Sequence, residues 1–248
     1  MIRHLLVIGA QRCATTYLHS LLDAHPDITM ARPARPEPKF FLAPESEARG
    51  LEWYRGAYFS HATSQSLLGE KSTSYLEDAQ AARRAASVLG WAEIVVLLRD
   101  PVARAVSNWR FSTANGLEDR PLAQALTENL DRARDWDAHL TSVSPYAYVE
   151  RGRYVDYLES WWARFPETVH VRFMEDLISG RAAVAELYHA LDVDPGFRPA
   201  GLGQPVHAAQ GPAPELEPAL VARLRDYFSG SDERLRSRLG QELPWATR

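Results

Sequence analysis

The chain has a single cysteine, Cys13, among 248 residues. That excludes an intramolecular disulfide and a cysteine-based zinc cluster. It also has no long apolar run. The opening stretch Met1–Gly9 carries one arginine and stops at Gly9, too short for a signal h-region, and no later segment reaches the roughly 18 apolar residues of a membrane span. Net charge is −4 and the pI is near 6.1, so no global excess of positive charge points to nucleic acid or an anionic membrane. The eight histidines are scattered, and no pair stands at i, i+4 beside an acid, so no metal signature is present. These absences predict a soluble protein of a reducing compartment, cytoplasmic, with no metal and no membrane span. Any anion site has to be built locally.

What is present is 46% hydrophobic residues, enough for one well-buried domain or two cramped ones, and residues 1–248 are expected to form a single one. An Ala/Arg-rich composition suggests a GC-rich bacterial genome. Leu5–Ile8 is a continuous apolar run of the kind found in a strand buried on both faces. Helical periodicity then links Ala14, Tyr17, Leu18, Leu21 and Leu22 until His25-Pro26. Residues 31–66 read as irregular, with prolines at 33, 36, 38 and 44. A short strand is expected at Leu67–Gly69 and a helix near Glu77–Val88. Ile94–Leu98 is a second unbroken strand signal, followed by Asp100 as an N-cap and Pro101 at the first helical position. Val102, Ala105, Val106 and Trp109 mark that helix's buried face. Helical periodicity is weak around Leu122–Leu130 and strong from Tyr154 to Phe165. Val169–Phe173 reads as a strand, and residues 195–214 as a proline- and glycine-rich loop. Two terminal helices are expected, over Leu216–Phe228 and Leu235–Leu239. Strands alternating with helices predict an α/β fold: a P-loop-like open parallel sheet flanked by helices.

The loop Gly9-Ala10-Gln11-Arg12-Cys13-Ala14-Thr15-Thr16 joins the first strand to the first helix. A helix N-terminus offers unpaired N–H groups and about half a positive charge, so a guanidinium and two hydroxyls placed there suit a phosphate or sulfate. The alternative is an ordinary βα turn. The triphosphate-binding pattern G-x-x-x-x-G-K-[ST] is absent: its second glycine falls on Ala14 and its lysine on Thr15. A magnesium-dependent kinase of related architecture is therefore poorly supported. Arg99 ends the second strong strand and Ser107 lies two helical turns later. In an open α/β sheet ligands gather at the carboxyl ends of strands, so Arg99 and the first loop are expected to face one crevice, Arg99 gripping an anion and Ser107 adding a neutral hydrogen bond.

In this setting the residues resemble a known family, the sulfotransferases that use 3′-phosphoadenosine-5′-phosphosulfate (PAPS). Gly9–Thr16 with Leu18, Leu21-Leu22 and His25-Pro26 is similar to the segment that binds the 5′-phosphosulfate, and Leu97–Ser107 to the one that binds the 3′-phosphate. Glu37-Pro38-Lys39-Phe40-Phe41, Glu70–Tyr75 and Arg151–Trp161 with Phe165-Pro166 resemble further stretches of the heparan sulfate N- and 3-O-sulfotransferase-like branch and its bacterial relatives. Leu224–Phe228 through Leu243-Pro244-Trp245 resembles its ending. The likeness runs in order along almost the whole chain. It departs at Arg12, where the family has lysine, at Cys13 and Ala14, where it has glycine, and at Lys39, where it has histidine. A late segment closing over the donor has only 203–214 as a positional candidate.

The resemblance implies PAPS as co-substrate and PAP as product, with direct in-line sulfuryl transfer to a hydroxyl or amine of a small-molecule or carbohydrate acceptor. It assigns Glu37 as the general base and Arg12 and Lys71 as stabilisers of developing charge. Gln11, Arg12, Cys13, Ala14, Thr15, Thr16, Arg99, Ser107 and Tyr154 are the expected donor-binding residues. A non-catalytic binding relative is the alternative function. Segments 31–66, 112–150 and 195–214 are the expected acceptor walls, because loops on a rigid sheet carry specificity. Without a dense basic stripe, a small metabolite of natural product biosynthesis or a lipid-linked glycan is expected over a long polyanion. A thiol at a helix N-terminus, as Cys13 is, can be reactive; the alternative is a small residue filling a glycine-like slot.

Overall fold

A computed structural model describes residues 2–137, 143–204 and 214–246. The chain divides into two compact units, one from Met1–Leu98 and Tyr157–Val206 and the other from Arg99–Asp156 and His207–Arg248.

The first unit holds a five-stranded sheet: β1 (Arg3–Gly9), β2 (Ile28–Met30), β3 (Leu67–Lys71), β4 (Glu93–Leu98) and β5 (Val169–Phe173), in the order β2-β3-β1-β4-β5. Every neighbouring pair is parallel. The expected open parallel sheet flanked by helices is thus present. Leu5 to Ile8 of β1 and Ile94 to Leu98 of β4 have no exposed surface, which is why both read as unbroken apolar runs. The helices of this unit are α1 (Thr15–Asp23), α2 (Ser46–Phe59) and α3 (Ala79–Leu89), with α7 (Met174–Ser179) and α8 (Arg181–Ala190) after β5. Among the described residues no helix is long and apolar enough to cross a membrane.

The segment expected to be irregular contains α2, and Phe40–Leu42 forms a 3-10 turn before it. The helix is kinked at Gly50 (φ 72°) and buries only Ser46, Tyr54 and Phe59, so it lacks a continuous apolar stripe. Ring contacts hold it instead: Tyr54 packs 5.0 Å from Phe40 and 5.3 Å from Phe41, and Trp53 stacks on Phe40 at 5.4 Å. Such contacts come from tertiary structure and leave no local period. β2, α7 and α8 were likewise not foreseen from the sequence; β2 is three residues long.

The turn from β1 into α1 is tight. Ala10 N donates to Leu97 O (2.8 Å), pinning the loop to the end of β4. A Cβ on Gly9 would stand 3.0 Å from Leu76 Cβ and 3.4 Å from Thr73 O, a fit so tight that a side chain there would push its neighbours aside. Arg12 (φ 69°) and Ala14 (φ 58°) adopt the left-handed region without being glycine.

The second unit is helical: α4 (Pro101–Ala114), α5 (Leu122–Asp131) and α9 (Pro218–Leu239). α6 (Tyr154–Arg164) begins at the end of this unit's first stretch and continues into residues of the first unit. Val102, Ala105 and Val106 of α4 pack with Leu122, Ala125 and Leu126 of α5 and Leu220, Leu224 and Phe228 of α9. Asp100 caps α4 as its sequence predicts, accepting from Val102 N (2.9 Å). The same carboxylate receives a two-pronged ion pair from Arg225 of α9, 2.7 Å at each oxygen. The two terminal helices expected here are one. Ser229-Gly230-Ser231 looks like a break, yet Ser231 and Asp232 both face inward beside Phe228 and Leu235, and the helix runs through.

Two stability measurements follow from these features. The buried Asp232 accepts from Trp245 Nε1 (3.0 Å), while its other oxygen has no hydrogen-bond partner. Burial raises its pKa from 3.8 to about 6, against the lowering pull of the Trp245 bond. Because the folded-state pKa is the higher one, the stabilising contribution is full below pH 3.8 and is lost as pH rises through about 6. Asp232→Asn is therefore expected to raise stability by about 1–3 kcal/mol at pH 8 and to change it little at pH 4, measured by thermal melts at both pH values. In the turn, a left-handed alanine costs roughly 1–2 kcal/mol, part of which glycine gives back as unfolded-state entropy. Ala14→Gly should raise Tm by about 1–4 °C; a lower Tm would show that the alanine is not strained there.

Candidate active site

Parallel strands deliver their carboxyl ends to one edge of the sheet, and a charged pair, Glu37 and Lys71, lies at the end of β3. Lys71 is the last residue of β3 and stands in register with Val7 of β1. Beyond it the chain stays against β1: Ser72 N donates to Val7 O (3.1 Å) and Leu76 N to Ile8 O (3.0 Å). Residues 71–76 therefore run alongside the start of the Gly9–Thr16 loop.

Glu37 meets this segment from the proline-rich stretch. Lys71 Nζ donates to Glu37 Oε1. Thr73 N donates to Oε2 (2.9 Å), and the Thr73 hydroxyl lies 3.1 Å from the same oxygen. Both charged side chains are largely covered, with 11% of Lys71 and 18% of Glu37 exposed, so the pair is less screened than a surface ion pair. The structure thus brings together two of the three residues expected to be catalytic. Thr73, the Glu37 partner that sequence reasoning did not single out, is visible in the sequence only as a member of the Glu70–Tyr75 stretch.

Below the pair lies a polar cluster that was also not foreseen. Glu70, with no exposed surface, accepts from the hydroxyls of Tyr54, Ser72 and Tyr75, each at 2.6 Å. Burial raises its pKa, while the three hydroxyls pull it back down. Burial likewise raises the Tyr54 and Tyr75 phenols, and the Glu70 charge adds to it, so both remain protonated donors. His19, half-buried on α1 one turn beyond Thr15, feels the charges of both Lys71 and Glu37; burial is the main cause that lowers its pKa, which favours the neutral ring.

The loop expected to hold an anion is a tight turn that leads into α1. Gln11 to Ala14 form the turn, and Thr15 and Thr16 open α1. The N-cap position is Ala14, which has no side-chain hydrogen bond to offer the first turn of the helix. Consecutive backbone N–H groups around left-handed residues form a concavity suited to an anion, and the helix start adds its partial positive charge. Cys13 is fully buried with Sγ 3.6 Å from Gln11 O, so its thiol sits as a small packed side chain rather than at a reactive surface.

In the second unit Arg99 directly follows β4, and Ser107 lies on α4, half-buried. Tyr154 is fully buried and its hydroxyl donates to Arg99 O (2.8 Å). Its visible part is to hold the Arg99 backbone. Arg104, one turn before Asn108 on α4, is also fully buried, and its guanidinium donates to the Ala147 and Tyr148 carbonyls. Of the late segment considered for closing over the donor, Gly203 N donates to the Tyr17 hydroxyl (2.8 Å), and residues 205–213 lie outside the described part.

Residues 3–186 match the family described as a sulfotransferase domain. Mouse heparan sulfate glucosamine 3-O-sulfotransferase 3B1 is 25% identical over 262 residues, covering 97% of this chain and 64% of that protein. The bifunctional heparan sulfate N-deacetylase/N-sulfotransferase 1 of Caenorhabditis briggsae is 31% identical over 169 residues, covering 65% of this chain and 19% of that protein. The chain thus spans less than two thirds of these relatives' length. The crystal structure of a sulfotransferase from Alicyclobacillus acidocaldarius superposes with a TM-score of 0.79 at 22% identity, covering 98% of both chains, which establishes a shared fold. The family match extends over most of the sequence, and the chain belongs to the sulfotransferase domain family.

Proposed function

We propose that this protein transfers a sulfuryl group from PAPS to a hydroxyl, or an amine, of a glycan or small-molecule acceptor. The observation that supports it most is the Glu37–Lys71–Thr73 cluster, set against the loop that begins at Gly9. The donor contributes a sulfuryl group activated by its 5′-phosphate. Overall, the sulfur–oxygen bond to that phosphate breaks, one to the acceptor oxygen forms, and the acceptor gives up its proton.

Glu37 takes that proton. A carboxylate is suited to the role only if it is held in hydrogen-bond reach of the acceptor, and Thr73 and Lys71 hold this one from two sides. Arg12 and Lys71 offset the charge that grows on the oxygens as the sulfuryl group moves, which is where preorganised cations contribute most. Thr15 and Thr16, with Gln11, Cys13 and Ala14 backbone groups, grip the 5′ side. The left-handed turn and the uncapped start of α1 fit such an anion. Arg99 and Ser107 are assigned the 3′-phosphate, with Tyr154 setting the Arg99 backbone. This part rests on the resemblance of Leu97–Ser107 and on the place of Arg99 just past β4, whose Leu97 carbonyl is bonded to the loop. The heparan sulfate relatives support a glycan hydroxyl as one acceptor class.

Two measurements test this. In calorimetry PAP should bind at least 10-fold more tightly than 5′-AMP, and Arg99→Ala should erase most of that preference, because only the 3′-phosphate distinguishes the two. Equal affinity for both nucleotides would remove the donor assignment. Formation of PAP from labelled PAPS, with water, heparan sulfate oligosaccharides or simple phenols as acceptors, should fall about 100-fold or more in Glu37→Gln. It should be unchanged by EDTA, whereas a magnesium-dependent kinase would lose activity.

A further inference from the structure

We propose that Glu70 is a positioning residue for the Glu37–Lys71 pair, a buried carboxylate that fixes the backbone following Glu37 through two hydroxyl relays. The inference rests on the reading of Glu37 as proton acceptor given above. Ser72 and Tyr75 each have one hydroxyl proton. The Ser72 oxygen accepts from Lys39 N (2.8 Å), and the Tyr75 oxygen accepts from Phe41 N (3.0 Å). Their own protons are thereby directed to Glu70, and both arrive at the same oxygen, Oε1, at 2.6 Å. Tyr54 of α2 donates to the other oxygen, Oε2.

The relays bracket a strained residue. Lys39 adopts φ 52°, ψ 26°, which a lysine holds only when its surroundings impose it. The amides on either side of that turn, at Lys39 and Phe41, are the two that the relays capture. Glu37 lies two residues upstream, and Lys71 is the residue next to Glu70 in β3. One carboxylate thus has a covalent hold on the ammonium partner and a hydrogen-bonded hold on the segment that carries the carboxylate partner. Misplacing a reacting group by about 1 Å can cost on the order of 100-fold in rate.

The substitutions separate position from charge. In Glu70→Gln the amide oxygen can accept from Ser72 and Tyr75 while the NH₂ group donates to the Tyr54 oxygen, so the relays survive without the charge. Glu70→Ala removes them. Tyr54→Phe deletes one bond to Glu70 that has no backbone amide behind it and keeps the ring against Phe40 and Phe41.

The experiment measures PAP formation from PAPS, with water as acceptor, per PAP-binding site titrated, so that an unfolded fraction does not count. Ser72→Ala, Tyr75→Phe and Glu70→Ala should each lower kcat about 10-fold or more with the KM for PAPS within twofold. Glu70→Gln and Tyr54→Phe should stay within about threefold. Amide exchange should quicken at Lys39 in Ser72→Ala and at Phe41 in Tyr75→Phe. On a Glu37→Gln background the loss from Tyr75→Phe should shrink below twofold, since it acts through Glu37. Wild-type kcat in both Ser72→Ala and Tyr75→Phe, or losses that persist undiminished on that background, would reduce Glu70 to fold support. Should Tyr75→Phe not fold, Ser72→Ala on both backgrounds decides alone. Wild-type turnover in Glu37→Gln itself would overturn the proton-acceptor reading instead.

Discussion

Burying an ionisable carboxylate costs several kcal/mol unless its oxygens are met by donors, and Glu70 sits where no water reaches it. The chain meets that demand with three hydroxyls drawn from separate places: Tyr54 on α2, and Ser72 and Tyr75 beyond the end of β3. The polyprolyl stretch is tied to the sheet by the same oxygens, because two of them also accept backbone amides from residues 39 and 41. The helix that the amino-acid pattern least supports, α2, is therefore anchored by the most demanding polar group in this unit, and by the aromatic rings around it.

The second unit applies a similar economy at Asp100. One carboxylate caps α4 at Val102 and receives both guanidinium prongs of Arg225 from α9. Gly152 lies where a Cβ would come within 2.6 Å of the Phe228 ring and 2.8 Å of Pro101, so the approach of these elements depends on its bare backbone. Tyr154 then holds the Arg99 carbonyl. The residue assigned to the second phosphate thus has its main chain fixed by a neighbour whose own ring is wholly enclosed.

What could be read from the residues alone follows from how local each signal is. β1 and β4 announce themselves because a strand covered on both faces is apolar at every position, and α4 because Asp100-Pro101 states its own cap. Resemblance was needed to find Glu37, since a lone acid among prolines carries no period and no chemistry of its own. The clamp of Thr73 on Glu37 spans 36 positions in sequence, and the Tyr54–Glu70 bond 16. Neither leaves a trace in spacing. The terminal helix, expected as two pieces, is continuous: Asp232, turned inward to meet Trp245, shows how packing carries it through Ser229-Gly230-Ser231, residues of weak helical propensity.

The turn between β1 and α1 bends back through Arg12 and Ala14 without using glycine at either place. Side chains there narrow the set of shapes open to the unfolded segment, so less conformational entropy is lost as the turn forms than with glycine at the same places. A glycine-rich cradle can adapt to its guest. Here the side chains at both left-handed places restrict the backbone, so the form of the turn is set more firmly by the fold than glycines would leave it.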